Sequence, residues 1–146
     1  MLQRIQSIFL LLASASGFGL FGLPFASTPE TVQSSTLFAD SIYNIQDNPM
    51  LLLFFTLAGI LTFAAIFLFK NRKLQIKLSQ FGIISDILGI VVAIVFFMQD
   101  SKTFQTAKID DSIGLFLPIL FLVFAFLAIR FIKKDLKIVS SMDRLR

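Results

Sequence analysis

Four long apolar stretches alternate with short polar segments along the chain. They cover residues of about 5–26, 50–69, 78–98 and 113–132, and a tail follows at residues 133–146. A transmembrane helix needs about 20 mostly apolar residues, so each stretch has the length of one span. The pattern therefore predicts a single all-α domain over residues 1–146, an integral membrane bundle of four transmembrane helices.

Polar and helix-breaking residues mark the ends of these stretches. Asn48 and Pro49 precede the second stretch, and an Asn cap with Pro in the first turn is typical of a helix start. Residues 70–73 (Lys-Asn-Arg-Lys) close the same helix. Pro24 lies near the end of the first stretch, whereas Pro118 lies inside the fourth and predicts a bend there.

The first stretch also has features of a secretory signal peptide. Arg4 precedes the apolar run, and residues 13–15 (Ala-Ser-Ala) resemble a cleavage site. The run continues to Phe25, however, and is longer than the apolar core of a signal peptide. We therefore expect an uncleaved first span, with cleavage as the alternative.

The composition requires an environment that accepts a large apolar surface. Hydrophobic residues make up 56% of the chain, 19 residues are Phe, and 15% are charged. A soluble domain of this size keeps much of its surface exposed and could not cover these side chains. The sequence contains neither Cys nor His, which removes disulfides, Cys nucleophiles and the commonest general base. With no metal-ligand spacing either, we expect no cofactor and no enzymatic activity.

The basic residues predict the orientation of the spans. Eleven of the 13 Lys and Arg residues precede the first span, lie between the second and third, or lie at the end of the fourth span and beyond it. The positive-inside rule then places both termini in the cytoplasm, as an even number of spans requires. The net charge of +4 follows from this bias and does not indicate nucleic-acid binding. The same residues are suited to anionic lipid head groups.

Three stretches of the chain resemble one protein family. They are residues 1–7 (MLQRIQS), residues 71–78 (NRKLQIKL), and residues 132–135 (IKKD) with residues 143–146 (DRLR). Together they resemble a family of small four-span membrane proteins from Bacteroidota, described only as a domain of unknown function. The resemblance covers essentially the whole chain. It implies a multi-pass protein of the inner membrane of a Gram-negative bacterium, and it brings no reaction, cofactor or catalytic residue.

Asp86 is the only acidic residue within the four stretches, near the middle of the third. An Asp at the centre of a membrane helix costs about 2.5–3.5 kcal/mol, so we expect it to face the bundle interior. It is either a protonated structural acid bonded to a neighbouring helix, a proton or cation site, or a side chain that reaches the cytoplasmic interface. Thr62 on the second span and the adjacent Ser85 are the other members of this candidate polar site.

Small residues surround Asp86 at helical spacing. Four residues follow at intervals of four, three and four along the third span: Gly82, Asp86, Gly89 and Ala93. Such a stripe lets membrane helices approach closely, so we expect Gly82, Gly89 and Ala93 to be helix-packing positions. The second span has a similar stripe of Ala58, Thr62 and Ala65.

The C-terminal tail has the pattern of an amphipathic helix. Its apolar residues recur every three or four positions: Ile132, Leu136, Val139, Met142 and Leu145. Its basic residues fall mostly off that stripe: Lys133, Lys134, Lys137, Arg144 and Arg146. We expect a short amphipathic helix that continues the fourth span or lies on the cytoplasmic leaflet. Its basic residues are candidates for contact with membrane lipids or a partner.

Two hypotheses about function follow from these features. The thin catalytic inventory, the short loops and the tail favour a non-catalytic accessory, assembly or scaffold subunit that binds other membrane proteins. The alternative is a small transporter or channel with Asp86 as its proton or cation site. A cavity lined by Ser or Thr around Asp86 would favour the transporter, and a carboxyl sealed by Phe and Ile would favour the scaffold.

Overall fold

The computed structural model describes residues 2–28, 40–100 and 110–143. Most of them belong to four helices: α1 (Leu2–Gly19), α2 (Pro49–Phe67), α3 (Arg72–Asp100) and α4 (Leu117–Asp143). Two 3₁₀ helices, Ile45–Asp47 and Ile113–Phe116, directly precede α2 and α4. The helical fold class predicted from the sequence is confirmed for the described residues.

Three of the apolar segments are long enough to cross a membrane: Pro49–Phe67, Arg72–Gln99 and Ile113–Ser140. The apolar part of α1 is shorter, Ile5–Gly19, which at 1.5 Å per residue gives about 22 Å against a hydrocarbon core of about 30 Å. The first helix therefore ends at Gly19, before the predicted end of the first span at residue 26. The chain turns after Gly19 and is already extended at Ala26.

A small antiparallel sheet lies where α1 ends. Its central strand β1 (Ala26–Ser27) pairs with β2 (Ile42–Tyr43) on one side and with β3 (Asp110–Asp111) on the other. The sequence does not predict these strands, because two residues are too few for an alternating pattern. The adjacent acids Asp110 and Asp111 form strand β3 ahead of the fourth apolar stretch.

The start of α2 follows the prediction from its sequence. The Asn48 side chain caps the helix by accepting the Met50 N–H at 2.9 Å, and Pro49 is the first helical residue. The α2–α3 connection is short, and the Asn71 side chain accepts the Leu74 N–H at 3.2 Å. As a result α3 begins at Arg72, earlier than the predicted start of the third span at residue 78.

Pro118 lies in the first turn of α4. The sequence predicts a bend there because it places Pro118 inside a helix that begins at residue 113. Residues 113–116 form a 3₁₀ helix instead, so Pro118 occupies a position where an α-helix has no intrahelical bond for its missing N–H to lose. The predicted reason for a bend is therefore wrong.

Sequential helices pack antiparallel around a common core. Leu10 in the middle of α1 clusters with Ala65 near the end of α2 and with Ala128 and Ile132 in the middle of α4. Leu20 and the segment around β1 form a second cluster with the start of α2. The bundle therefore has a basic end, at the start of α1, the α2–α3 turn and the end of α4, and a sheet end opposite.

Gly114 tests the packing at the sheet end. A Cβ at this position would collide with the backbone carbonyl oxygens of Leu23 and Pro24, which cannot rotate away as a side chain can. We expect Gly114→Ala to lower the free energy of unfolding by about 1–3 kcal/mol, measured by thermal unfolding in detergent.

Gly22→Ala is the matched control for this substitution. The nearest atom to a Cβ on the exposed Gly22 is the Gly19 carbonyl oxygen at 4.0 Å, an ordinary contact. Equal stability of the two variants would contradict the close contact between the segment after α1 and the 3₁₀ helix before α4.

Candidate functional site

The contact between α2 and α3 is built on small residues. A Cβ on Gly82 would lie 3.0 Å from Thr62 Cγ2 and 3.4 Å from the Ala58 carbonyl oxygen. A Cβ on Gly89 would lie 2.9 Å from the Phe55 ring. Both glycines therefore lie where the two helices leave no room for a larger side chain.

The third residue of the predicted stripe has a different role. Ala93 is half-buried and its backbone carbonyl accepts a hydrogen bond of 3.1 Å from the Tyr43 hydroxyl. This bond joins α3 to strand β2 at the sheet end. Burial and the nearby charge of Asp47 both raise the pKa of Tyr43 above its usual range. Tyr43 therefore keeps its proton and continues to act as a donor.

The two hydroxyl groups of the predicted polar site bond to backbone carbonyls. Ser85 Oγ donates to the Phe54 carbonyl oxygen at 2.7 Å and thereby links α3 to α2. Thr62 Oγ1 donates within its own helix, to the carbonyl oxygens of Ala58 at 2.9 Å and Gly59 at 3.0 Å. Return bonds of this kind are usual for Thr in helices. Neither hydroxyl is bonded to Asp86.

Asp86 is completely buried, with 0% of its surface exposed. Among the described residues, neither of its carboxyl oxygens has a hydrogen-bond partner. The predicted orientation toward the bundle interior agrees with this burial, whereas a bond to a neighbouring helix and a route to the interface do not. An unpaired ionised carboxylate in such a place costs far more than a neutral acid. The arrangement therefore suits a neutral carboxyl group.

Apolar side chains fill the bundle centre one turn from Asp86. The Phe121 ring on α4 lies 3.5 Å from the Cβ position of Gly17 on α1 and 3.7 Å from that of Gly82 on α3. It belongs to a buried cluster with Ala13, Ala58 and Ala125. In the described part of the chain, no group of three acidic residues is placed to hold a metal ion here.

Two further buried polar side chains lie toward the basic end of the bundle, and the predicted polar site does not include them. Gln6 on α1 and Gln75 on α3 are fully buried, and within the described residues their amide atoms have no partner. Close to Gln75, Arg72 forms an ion pair with Asp135 on α4, 3.1 Å apart. The stripe itself carries the signal, since Gln75 and Ser79 continue its spacing of four and three residues toward the N-terminus.

The basic tail residues lie on a continuous helix. Helix α4 continues without a break past residue 132 to Asp143, so the tail extends the fourth span and does not form a separate helix. Lys133, Lys134 and Lys137 are exposed along it. Arg144 and Arg146 lie outside the described residues.

Comparison with known proteins gives one assignment. The family described as "Domain of unknown function (DUF4293)" matches residues 2–145. The chain belongs to this family. The resemblance seen in the terminal stretches and after the second span is thereby confirmed over nearly the whole chain. No curated protein and no solved structure matches the chain. The family match extends over all four helices, including the Asp86 level, and its description names no activity.

Ser85 provides a test of the α2–α3 contact. We expect Ser85→Ala to lower the free energy of unfolding in detergent by about 0.6–1.7 kcal/mol, the range for hydrogen bonds between membrane helices. Ser79→Ala is the control, since Ser79 is also buried but donates to the Gln75 carbonyl oxygen of its own helix at 2.9 Å. A larger loss for Ser79→Ala would contradict the role of Ser85 in joining the helices.

Proposed function

We propose that the chain is a non-catalytic multi-pass protein of the bacterial inner membrane, an accessory, assembly or scaffold subunit of a membrane complex. The observation that carries this proposal is the apolar exterior of the bundle. Phe63 on α2, Ile84 on α3 and Phe126 on α4 are 46%, 52% and 70% exposed, and many Leu and Ile side chains accompany them. Such a surface is stable against lipid tails or other apolar helices.

The distribution of charge supports the orientation of the bundle. The basic end carries Lys70, Lys73 and the exposed Lys residues of α4, whereas Asp40 and Asp47 lie at the sheet end. By the positive-inside rule, the basic end faces the cytoplasm and both termini lie there. In this arrangement α1 crosses the membrane together with α2, α3 and α4.

The extension of α4 supports a role in binding other proteins. The ion pair between Arg72 and Asp135 fastens α4 to α3 one turn beyond the buried Ile132. The helix then continues to Asp143 with Lys137 exposed and Ile138 40% exposed. A rigid helix that leaves the membrane with both basic and apolar side chains is suited to a groove on a partner.

A small transporter or channel that uses Asp86 is the second candidate. Its specific support is the buried carboxyl group without a partner, since intramembrane acids often bind protons or cations. Against it, the Ser85 and Thr62 hydroxyls are bonded to carbonyls, and Phe121 fills the level of Gly82. A polar lining of Ser and Thr around Asp86 is therefore missing from the described residues, and the scaffold role is favoured.

Single Cys substitutions test the proposed topology, because the chain has no Cys of its own. We expect Gln46→Cys at the sheet end to react with a membrane-impermeant maleimide on intact spheroplasts. Asn71→Cys in the α2–α3 turn should react only after permeabilisation. Both positions are exposed, so the membrane decides access. Reaction of Asn71→Cys from outside would contradict the orientation.

Truncation after Leu136 tests the role of the α4 extension. The cut keeps Asp135 and its ion pair, so we expect insertion and the unfolding temperature to stay unchanged. The truncated chain should lose the proteins that copurify with the full chain in mild detergent. Retention of all these proteins would contradict docking through the extension.

The variant Asp86→Asn, compared with the truncated chain, distinguishes the scaffold proposal from the transporter alternative. On the scaffold proposal it keeps the copurifying proteins and the growth phenotype of the full chain. The transporter alternative predicts the reverse: a folded Asp86→Asn chain that keeps its partners and loses the phenotype, because an amide cannot titrate.

A further inference from the structure

A groove of about 910 Å³ lies between α3 and α4 on the outside of the bundle, toward the basic end. Its volume is in the range of sites that hold small molecules. Three cationic side chains line it, Lys77 from α3 and Arg130 and Lys133 from α4. They come together because the two helices are antiparallel, as the Arg72–Asp135 pair shows.

The rest of the groove wall is mainly apolar. Phe81 and Ile84 continue the α3 face that begins at Lys77, and Phe126 continues the α4 face below Arg130. Seven residues separate Lys77 from Ile84, so the wall extends about 10 Å from the cations toward the membrane centre. The groove thus combines a cationic mouth with a hydrocarbon-compatible floor.

No acid in the described part of the chain forms an ion pair with the cations of the groove. Within the described residues, the one ion pair joins Arg72 to Asp135. Asp135 follows Lys133 by two positions and therefore points to nearly the opposite side of α4. The other basic residues of the same helix ends, Lys73, Lys134 and Lys137, are exposed but do not line the groove. The positive charge is therefore concentrated at one place, beyond what orientation alone requires.

We propose that this groove is a binding site for an anionic phospholipid of the cytoplasmic leaflet. Lys77, Arg130 and Lys133 hold the phosphate of the head group, and an acyl chain lies along Phe81, Ile84 and Phe126. Arg donates paired hydrogen bonds to phosphate oxygens, and Lys adds compact positive charge. Basic pockets between helices at this membrane face are suited to such head groups. The inference rests on the membrane location and orientation proposed above, and it is independent of the scaffold role.

Native mass spectrometry of the full chain, released from detergent, measures this binding directly. The probes are dioleoylphosphatidylglycerol, dioleoylphosphatidylcholine and inorganic phosphate. We expect the phosphatidylglycerol adduct to be retained, and the other two probes to be bound at least tenfold more weakly. The triple variant Lys77→Gln, Arg130→Gln and Lys133→Gln should bind phosphatidylglycerol on the order of 100-fold more weakly.

The control variant is Lys73→Gln, Lys134→Gln and Lys137→Gln, which removes the same charge from the same helix ends. It should lose no more than about fivefold in affinity. All six side chains are exposed, and unfolding temperatures without added lipid verify that both variants are folded. Equal losses in the two variants, or equal binding of phosphatidylcholine, would overturn the proposal. Binding of inorganic phosphate as tight as that of the lipid would assign the site to free phosphate.

Fractionation of cells separates this result from the membrane proposal. A chain that stays in the soluble fraction without detergent contradicts the proposed membrane location. A chain that requires detergent but binds both lipids equally contradicts only the lipid site.

Discussion

The close approach of α2 and α3 is the constraint on which the rest of the structure depends. Lipid offers no hydrophobic drive for helices to associate, so shape and interhelical hydrogen bonds hold them together. Gly82 and Gly89 let α3 meet the side chains of Thr62 and Phe55, and Ser85 bonds across to α2. This register turns one stripe of α3 inward whatever its chemistry. Asp86 occupies that stripe, so its burial follows from the packing of its neighbours.

The short first helix places a second demand on the fold. Backbone that leaves a helix inside a bilayer must find its hydrogen bonds within the protein. After α1 ends, the Phe25 N–H donates to the Tyr43 carbonyl oxygen at 2.8 Å, and its own carbonyl accepts the Ser112 N–H at 3.2 Å. Phe25 and Ala26 are buried beneath these bonds. The small sheet thus completes the bundle where α1 is too short, and Gly114 lets the segment after α1 lie against the 3₁₀ helix before α4.

The long periodic features could be predicted from the sequence, and the tertiary ones could not. The lengths of the apolar stretches predict α2, α3 and α4, and Asn48 with Pro49 predicts where α2 begins. These signals are local in the sequence. The early end of α1 depends on strands contributed from three separate segments. Among the described residues, the Asp86 carboxyl group has no partner because the Ser85 and Thr62 hydroxyls both donate to backbone carbonyl oxygens. The sequence does not indicate which acceptor each hydroxyl takes. The groove proposed to bind lipid depends on the register of α3 against α4, which brings Lys77, Arg130 and Lys133 to one site.

The two sides of α3 serve different purposes, and this explains why one helix carries so many polar residues. Its inner stripe contains Gln75, Ser79 and Asp86, all fully buried, whereas Lys77 and Gln80 line the outer groove. Only one of the inner polar groups, the Ser79 hydroxyl, is satisfied within α3 itself. An apolar side chain at position 86 would avoid the cost of an unpaired buried carboxyl. The packing of the bundle explains why the side chain at position 86 is buried, but it does not explain why that side chain is a carboxyl.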